Sequence, residues 1–213
     1  MVSTKPIQLV LFDMDGVLLN SKDNMRVAWA AVQRELNVTV PFEQYFEKIG
    51  TPFAEIMGAL GLHDLAAEAS HIYFSASRQH EALLKWYPSI NELLVNLSLH
   101  GHKLGIVTSK DGRRARELLS QLPIVFDTVQ TPETGLRGKP APDHILMACA
   151  LTNADPSETL FVGDMPVDYQ AARRAGVRFC HASWGYGDAP EGDCEILRHP
   201  LELLPHAAVG LAA

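Results

Sequence analysis

The 213-residue sequence predicts an α/β fold, with a parallel sheet that carries helices on both faces and an all-helical segment inserted after the first strand. Two observations support this prediction. Outside residues 19–85, short apolar runs alternate with stretches of helical periodicity, as in repeated strand–helix units. Within residues 19–85, amphipathic helical spacing continues, and no apolar run is typical of a strand.

The first predicted strand is the apolar run over residues 7–12, which leads into Asp13-Met-Asp-Gly. Gly16 suits a turn directly after the strand. The carboxylates of Asp13 and Asp15 repel each other unless a cation lies between them, and magnesium is the usual partner of such oxygen ligands. A surface turn without a metal is the alternative interpretation of this motif taken alone.

The inserted segment is predicted to form four helices, over about residues 21–37, 41–49, 51–61 and 63–84. Ser21 is expected to cap the first helix. Gly50 is expected to end the second helix. Thr51 is expected to cap the third helix, with Pro52 at its first position. Short hinge strands at residues 18–21 and 85–88 are expected to join this segment to the remainder of the chain.

Four further strands are predicted after the insert, at residues 103–107, 125–129, 159–162 and 177–180. Helices are expected to begin at Ser89, Asp111, Pro142 and Pro166 and near Leu201. Ser89 and Glu92 have the spacing of a capping box. A loop over residues 131–140 contains Lys139.

Polar side chains follow three of the predicted strands at their carboxyl ends. They are Asp13 and Asp15 after the first strand, Thr108 and Ser109 after the second, and Asp164 and Asp168 after the fourth. In open parallel sheets the site lies at this edge, and Lys139 on its loop is within reach of it. Carboxylates, hydroxyls and one lysine are suited to phosphoryl transfer, in which the protein positions and neutralises negative charge.

Each of these residues has a predicted role. Since the sequence offers no obvious Ser/His or Cys/His pair, Asp13 is the candidate nucleophile and Asp15 the candidate general acid and base. Thr108 and Ser109 are expected to donate hydrogen bonds to phosphate oxygens. Lys139 is expected to neutralise the phosphate.

Magnesium is the predicted cofactor, held by Asp13, by Asp164 and by the backbone carbonyl of Asp15. Asp168 lies one helical turn after Asp164 on the same face and is included in the predicted metal set.

The sequence resembles the haloacid dehalogenase superfamily over nearly its whole length. Four motifs carry the resemblance, in order: Asp13-Met-Asp-Gly-Val-Leu, Val107-Thr-Ser-Lys, Gly138-Lys-Pro-Ala-Pro-Asp, and Val162-Gly-Asp with Asp168 four residues later. The stretch from Asp164 to Gly176 and the later Trp184-Gly-Tyr-Gly are similar to the phosphoglycolate-phosphatase-like branch. Asn20 departs from that branch, in which aspartate is common at this position.

The resemblance implies a Rossmann-like core formed by residues 1–18 and 86–213, with a helical cap domain formed by residues 19–85. It implies a magnesium-dependent phosphatase that acts on a small phosphoglycolate-like phosphomonoester through an aspartyl phosphate. By analogy with the branch, Gly50 and Thr51 are the cap residues expected to enter the site.

Asp15 favours phosphate esters over the dehalogenases of the superfamily, which lack this second aspartate. A phosphomutase of the β-phosphoglucomutase type is the first alternative, but Thr51-Pro-Phe follows Gly50 where such mutases carry a basic residue. A non-catalytic, partner-binding protein is the second alternative.

The net charge of −7 disfavours a nucleic-acid or membrane-surface partner, and no apolar run approaches the ~20 residues that span a bilayer. Three cysteines without ligand spacing favour reduced thiols. We therefore expect a cytoplasmic monomer or homodimer whose partner is a small phosphate ester.

Overall fold

The computed structural model describes residues 6–132, 135–192 and 194–207. Its strands are β1 (Leu9–Phe12), β2 (Leu19–Asn20), β3 (Lys85–Trp86), β4 (Lys103–Val107), β5 (Thr128–Gln130), β6 (Thr159–Gly163), β7 (Arg178–Ala182) and β8 (Glu195–Leu197). Its α-helices are α1 (Lys22–Leu36), α2 (Phe42–Phe46), α3 (Phe53–Ala59), α4 (Ala66–Gln79), α5 (Ile90–Leu99), α6 (Gly112–Leu119), α7 (Asp143–Thr152), α8 (Pro166–Ala175) and α9 (Leu203–Ala207).

Six of the strands form one parallel sheet in the order β5-β4-β1-β6-β7-β8. Strand β1 lies in the middle, with Phe12 level with Ile106 of β4 and with Val162 of β6. The chain therefore leaves β1 where the strand order changes direction, which is where open α/β sheets form their sites. The predicted α/β fold is confirmed.

Alternating side chains of β1 face two hydrophobic clusters on opposite sides of the sheet. Val10 and Phe12 pack with α5, α6 and α9, whereas Leu9 and Leu11 pack with α7 and α8. Since successive side chains of a strand point to opposite faces, helices cover both faces of the central strand. This burial on both sides explains why the strand reads as a continuous apolar run.

The helices of the insert have a hydrophobic cluster of their own. Trp29 of α1 stacks on Tyr45 of α2 with ring centroids 4.4 Å apart, and Tyr73 of α4 packs 5.6 Å from Tyr45. Strand β2 precedes these helices in the chain and β3 follows them, and the two strands form an antiparallel pair. Both strands lie within the predicted hinge segments. None of the helices within the described residues is long and apolar enough to cross a bilayer.

Several local predictions are wrong. Thr51 does not cap α3, because its hydroxyl donates to the carbonyl of Lys48 and Pro52 occupies the N-cap. Ser89 has a φ of 64° and its side chain makes no capping hydrogen bond within the described residues, so the predicted capping box does not form. One long helix at 63–84 is instead α4 flanked by two short 3₁₀ turns.

The two edge strands of the sheet, β5 and β8, differ from the predicted strands. The third core strand begins at Thr128 because the carboxylate of Asp127 accepts a bond from the Leu104 N–H, while Val125 is 93% exposed. Strand β8 was not predicted, since of its three residues only Leu197 is buried. Glu133 and Thr134 of the predicted loop lie outside the described residues.

Two leucines of helix α5 offer a matched test of the packing. Leu94 is fully buried, whereas Leu99 is 79% exposed. We expect Leu94→Ala to lower the free energy of unfolding by about 2–5 kcal/mol, because it leaves a cavity in the core. We expect Leu99→Ala to change it by about 0.5 kcal/mol or less. Urea denaturation of both variants measures the difference, and equal losses would contradict the assigned packing.

Candidate active site

A cavity of about 80 Å³ lies beyond the carboxyl ends of β1 and β4. Asp13, Asp15, Thr108 and Ser109 line one side of it, and side chains of the inserted helices line the other. The sheet order places these residues together, because β1 and β4 are neighbours and both end at this edge. The predicted convergence of these four residues is therefore observed.

Asp13 is almost completely buried at the end of β1. Its Oδ1 lies 2.9 Å from the Lys139 Nζ, which also lies 2.6 Å from Asp168 Oδ1. Burial raises the pKa of Asp13 to about 7, the charges of Asp168 and Asp15 add to this rise, and Lys139 opposes it. Burial lowers the pKa of Lys139, but the charges of Asp13 and Asp168 outweigh burial and raise it overall.

Asp168 has partners at both of its carboxylate oxygens. Oδ1 accepts from Lys139, while Oδ2 accepts from the backbone N–H groups of Asp164 (3.2 Å) and Met165 (2.9 Å) at the start of α8. These contacts fix Lys139 against Asp13 and close the first turn of α8. The geometry favours a positioning role for Asp168, and its predicted contact with a metal remains a prediction.

Asp164 is fully buried after β6, in a space that two glycines leave open. A Cβ atom on Gly16 would lie 2.1 Å from Asp164 Oδ2, and one on Gly185 would lie 2.3 Å from Asp164 Cβ. Asp164 Oδ2 accepts a bond of 2.8 Å from the Tyr186 N–H, whereas Oδ1 is buried and has no partner among the described residues. Burial and the charges of Asp168 and Asp13 raise the pKa of Asp164 well above its usual range.

These carboxylates fit a divalent cation. Asp13, Asp164 and Asp168 each offer an oxygen within 4.8 Å of the others, and within the described part of the chain Lys139 is the cation that contacts Asp13 and Asp168. Three buried carboxylates beside one lysine leave negative charge uncompensated, and Asp164 Oδ1 lacks a partner. Oxygen ligands of this kind are those that magnesium prefers. The Asp15 side chain is not part of this group, since it turns toward Lys110.

Lys110 is a site residue to which the sequence analysis assigned no role. Its Nζ lies 2.9 and 2.8 Å from the two carboxylate oxygens of Asp15, and both side chains are mostly buried. The sequence signal for Lys110 is its position directly after Thr108 and Ser109, just past the carboxyl end of β4. A lysine there lies near Asp13 and Asp15, because β4 is the neighbour of β1. Lys110 holds Asp15 at the rim of the cavity.

The remaining predicted residues are also located at the cavity. Thr108 is buried, and its Oγ1 accepts a bond of 3.2 Å from the Lys110 N–H. Ser109 Oγ donates to the carbonyl of Gly50 at 2.6 Å, which ties the insert to the end of β4. Gly50 and Thr51 line the cavity, as expected. The roles of these residues in binding phosphate or substrate remain predictions.

Tyr186 connects the buried carboxylates to the insert. Its N–H donates to Asp164, its hydroxyl accepts a bond of 2.6 Å from the Ser21 N–H, and its ring packs edge-on at 5.1 Å from Phe46. Trp184 Nε1 donates to the carbonyl of Val17. The sequence predicts a loop that begins at Trp184, and the family resemblance also includes this loop, but its long-range bonds have no local signal in the sequence.

Comparison with known proteins places the chain in a large set of related sequences and structures. The family model for haloacid dehalogenase-like hydrolases matches residues 10–182. The chain is 31% identical to the pyrophosphatase PpaX of Bacillus cereus, covering 84% of each sequence. It is 28% identical to a phosphoglycolate phosphatase of Aquifex aeolicus, covering 84% of this chain and 86% of that protein.

A solved structure with a similar fold is the crystal structure of a hydrolase from Pseudomonas syringae. It superposes with a TM-score of 0.84 at 26% identity, covering 93% of this chain and 97% of that chain. The similarity therefore includes both the sheet and the inserted helices.

The space around Asp164 can be tested with Gly16→Ala. We expect this variant to bind magnesium at least about tenfold more weakly, because the added Cβ collides with a carboxylate that Gly185 and Tyr186 hold in place. Gly61→Ala is the matched control, since Gly61 also has a positive φ but a Cβ there meets no atom within 4 Å. Isothermal titration calorimetry measures both, and equal affinities would contradict the assigned cation site.

Proposed function

The chain belongs to the haloacid dehalogenase-like hydrolases and is a phosphatase, and we propose that it hydrolyses a small phosphomonoester with magnesium through a phosphorylated Asp13. The observation that carries the proposal is the position of Asp13. Its carboxylate lines a cavity together with Asp15 and Thr108 and contacts the buried ammonium of Lys139.

In the first step, a carboxylate oxygen of Asp13 attacks phosphorus, and the bond from phosphorus to the ester oxygen breaks. The leaving oxygen takes a proton from Asp15, which lines the same cavity. The products of this step are an alcohol and an aspartyl phosphate on Asp13. Thr108 and Ser109 donate hydrogen bonds to the oxygens of the transferred group.

In the second step, Asp15 takes a proton from water, and the resulting hydroxide oxygen bonds to phosphorus. The bond between phosphorus and Asp13 breaks, which releases inorganic phosphate and restores the carboxylate. Lys110 keeps Asp15 oriented toward the cavity through its paired contacts. Lys139, held by Asp168, keeps the Asp13 carboxylate in position for the next attack.

Magnesium would be held by Asp13, by Asp164 and by the backbone carbonyl of Asp15, and when bound it neutralises the charge of the transferring phosphoryl group. The partnerless Asp164 Oδ1 and the excess of buried carboxylates support this assignment. Asp168 is proposed to act through Lys139 and the first turn of α8.

We propose that residues 19–85 act as a cap domain on a core formed by residues 1–18 and 86–213. The separate hydrophobic cluster of the insert and the two-stranded β2–β3 ribbon at its junction support this division. In the structure the cap rests on the core through the Ser109–Gly50 bond and through an ion pair of 3.0 Å between Arg114 and Glu81. Opening at the ribbon admits substrate, and closure excludes water during attack by Asp13.

Asp13→Asn tests the nucleophile. We expect phosphate release from phenyl phosphate to fall by at least about 10⁴-fold, since an amide does not form the phosphoenzyme. Asp64→Asn, in which the aspartate is fully exposed on the cap, is the control and is expected to keep wild-type kinetics. Removal of magnesium with EDTA is expected to abolish turnover by the wild type and by Asp64→Asn. Near wild-type activity of Asp13→Asn would contradict the mechanism.

Asp15→Ala tests the acid–base role. We expect kcat to fall by about 10²–10⁴-fold, because both steps lose a proton carrier. Formation of the phosphoenzyme should be slowed less for an aryl phosphate than for an alkyl phosphate, since a phenolate leaves with less help from an acid. Rapid-quench measurement of the two substrates checks this order, and an equal loss for both would count against protonation of the leaving group by Asp15.

A further inference from the structure

The cavity has two chemically different walls. The core wall carries the charged groups of the site, including Asp13, Asp15 and Lys110. The wall on the side of the insert, which we call the roof, consists mainly of six residues that are aromatic or aliphatic: Tyr45, Ile49, Phe53, Ile56, Tyr73 and Phe74. A phosphoryl group at Asp13 therefore places its alcohol portion against the roof.

The described residues of the roof carry no positive charge. Of the described residues between positions 22 and 84, no lysine, arginine or histidine lines the cavity. The cation that does line it, Lys110, belongs to the core and has both oxygens of Asp15 as partners. Asp111 adds a further carboxylate to the core wall. A second anionic group on the substrate would thus lose its water without gaining a cation, which is unfavourable in a buried site.

Among the six roof residues, the polar groups are the hydroxyls of Tyr45 and Tyr73. The Thr51 hydroxyl, on the same side of the cavity, donates to the carbonyl of Lys48. Tyr45 and Tyr73 are both buried, and the centroids of their rings lie 5.6 Å apart. Burial raises the pKa of each phenol further above its ordinary range, so both stay neutral at physiological pH. Neutral hydroxyls both donate and accept, which suits an amide or hydroxyl group of a substrate.

We propose that the roof selects phosphate esters of small, uncharged alcohols and discriminates against esters whose leaving group carries a second negative charge. Tyr45 and Tyr73 provide the hydrogen bonds to that leaving group, and the surrounding rings and aliphatic side chains provide its apolar contacts. This inference rests on the proposed hydrolysis at Asp13. It narrows the phosphoglycolate-like expectation, since phosphoglycolate carries a carboxylate beside its ester.

The test compares two substrates of equal size, 2-phosphoglycolate and its amide, carbamoylmethyl phosphate, with the full chain and magnesium. We expect kcat/KM for the amide to exceed that for the carboxylate by about a hundredfold, because only the carboxylate buries an unpaired charge. Pyrophosphate, whose leaving group is also anionic, should be as poor as phosphoglycolate. Equal or higher kcat/KM for the carboxylate would overturn the inference.

Phenyl phosphate separates this inference from the proposed function. If the folded protein releases no phosphate from any substrate, phenyl phosphate included, the proposed hydrolysis fails. If it hydrolyses phenyl phosphate but prefers phosphoglycolate to the amide, the hydrolysis stands and the proposed selectivity fails.

Phe74→Arg supplies the missing cation, with Phe74→Met as the uncharged control. Phe74 is only partly buried, so an arginine there keeps contact with water. We expect Phe74→Arg to shift the ratio of kcat/KM values toward phosphoglycolate by at least about tenfold and Phe74→Met to leave it unchanged. Thermal denaturation establishes that both variants are folded. An unchanged ratio in folded Phe74→Arg would contradict the assignment of the roof.

Tyr45→Phe and Tyr73→Phe test the hydrogen bonds of the roof. Each is expected to lower kcat/KM for the amide by about tenfold more than kcat/KM for phenyl phosphate, because phenyl phosphate offers the hydroxyls no partner. Equal losses on both substrates would indicate a structural role for the hydroxyls and would contradict their part in the selectivity.

Discussion

The site depends on one buried ammonium group between two carboxylates. Lys139 is 2% exposed and lies within 3 Å of both Asp13 and Asp168. A charge removed from water in this way is tolerable only if its partners are fixed around it. The sheet fixes Asp13, and the first turn of α8 fixes Asp168 through two backbone N–H groups. The lysine then holds three separate parts of the chain in one arrangement, and the role proposed for Asp13 depends on that arrangement.

Negative charge nevertheless exceeds positive charge among the described residues around Asp13. The surroundings of Asp164 fit a cation that would balance this charge. The Asp164 side chain lies against Gly16 and Gly185, where a Cβ atom would collide with it. Its Oδ1 has no partner among the described residues. Tyr186 holds the other oxygen and also bonds to Ser21 at the start of α1. The same short loop therefore touches both the carboxylate cluster and the junction with the insert, and it connects Asp164 to the start of α1.

The two walls of the cavity come from different parts of the chain, and in the proposed function they have different roles. The core wall supplies charged groups whose positions are set by strand ends, and these suit any phosphate ester. The roof supplies apolar surface and two tyrosine hydroxyls, which we propose contact the alcohol portion of the substrate. Relatives in the same family are named as a pyrophosphatase and a phosphoglycolate phosphatase. The leaving group named for these relatives therefore differs, although both names describe hydrolysis at phosphorus. The lack of a cation among the described roof residues is the basis of the selectivity that we propose for this chain.

The sequence by itself determined the fold class and the set of polar residues at the strand ends, because apolar runs and the residues that follow them are local signals. It predicted that Asp13, Thr108, Lys139 and Asp164 would meet, since parallel strands share one carboxyl edge. Only the tertiary structure decided the pairing of Lys110 with Asp15, the bonds of Tyr186 to Asp164 and Ser21, and the aromatic roof, because each joins positions far apart in the chain. Thr51 and Ser89 were predicted as caps from residue type, and the structure placed them differently, since one bonds to Lys48 and the other has a left-handed backbone.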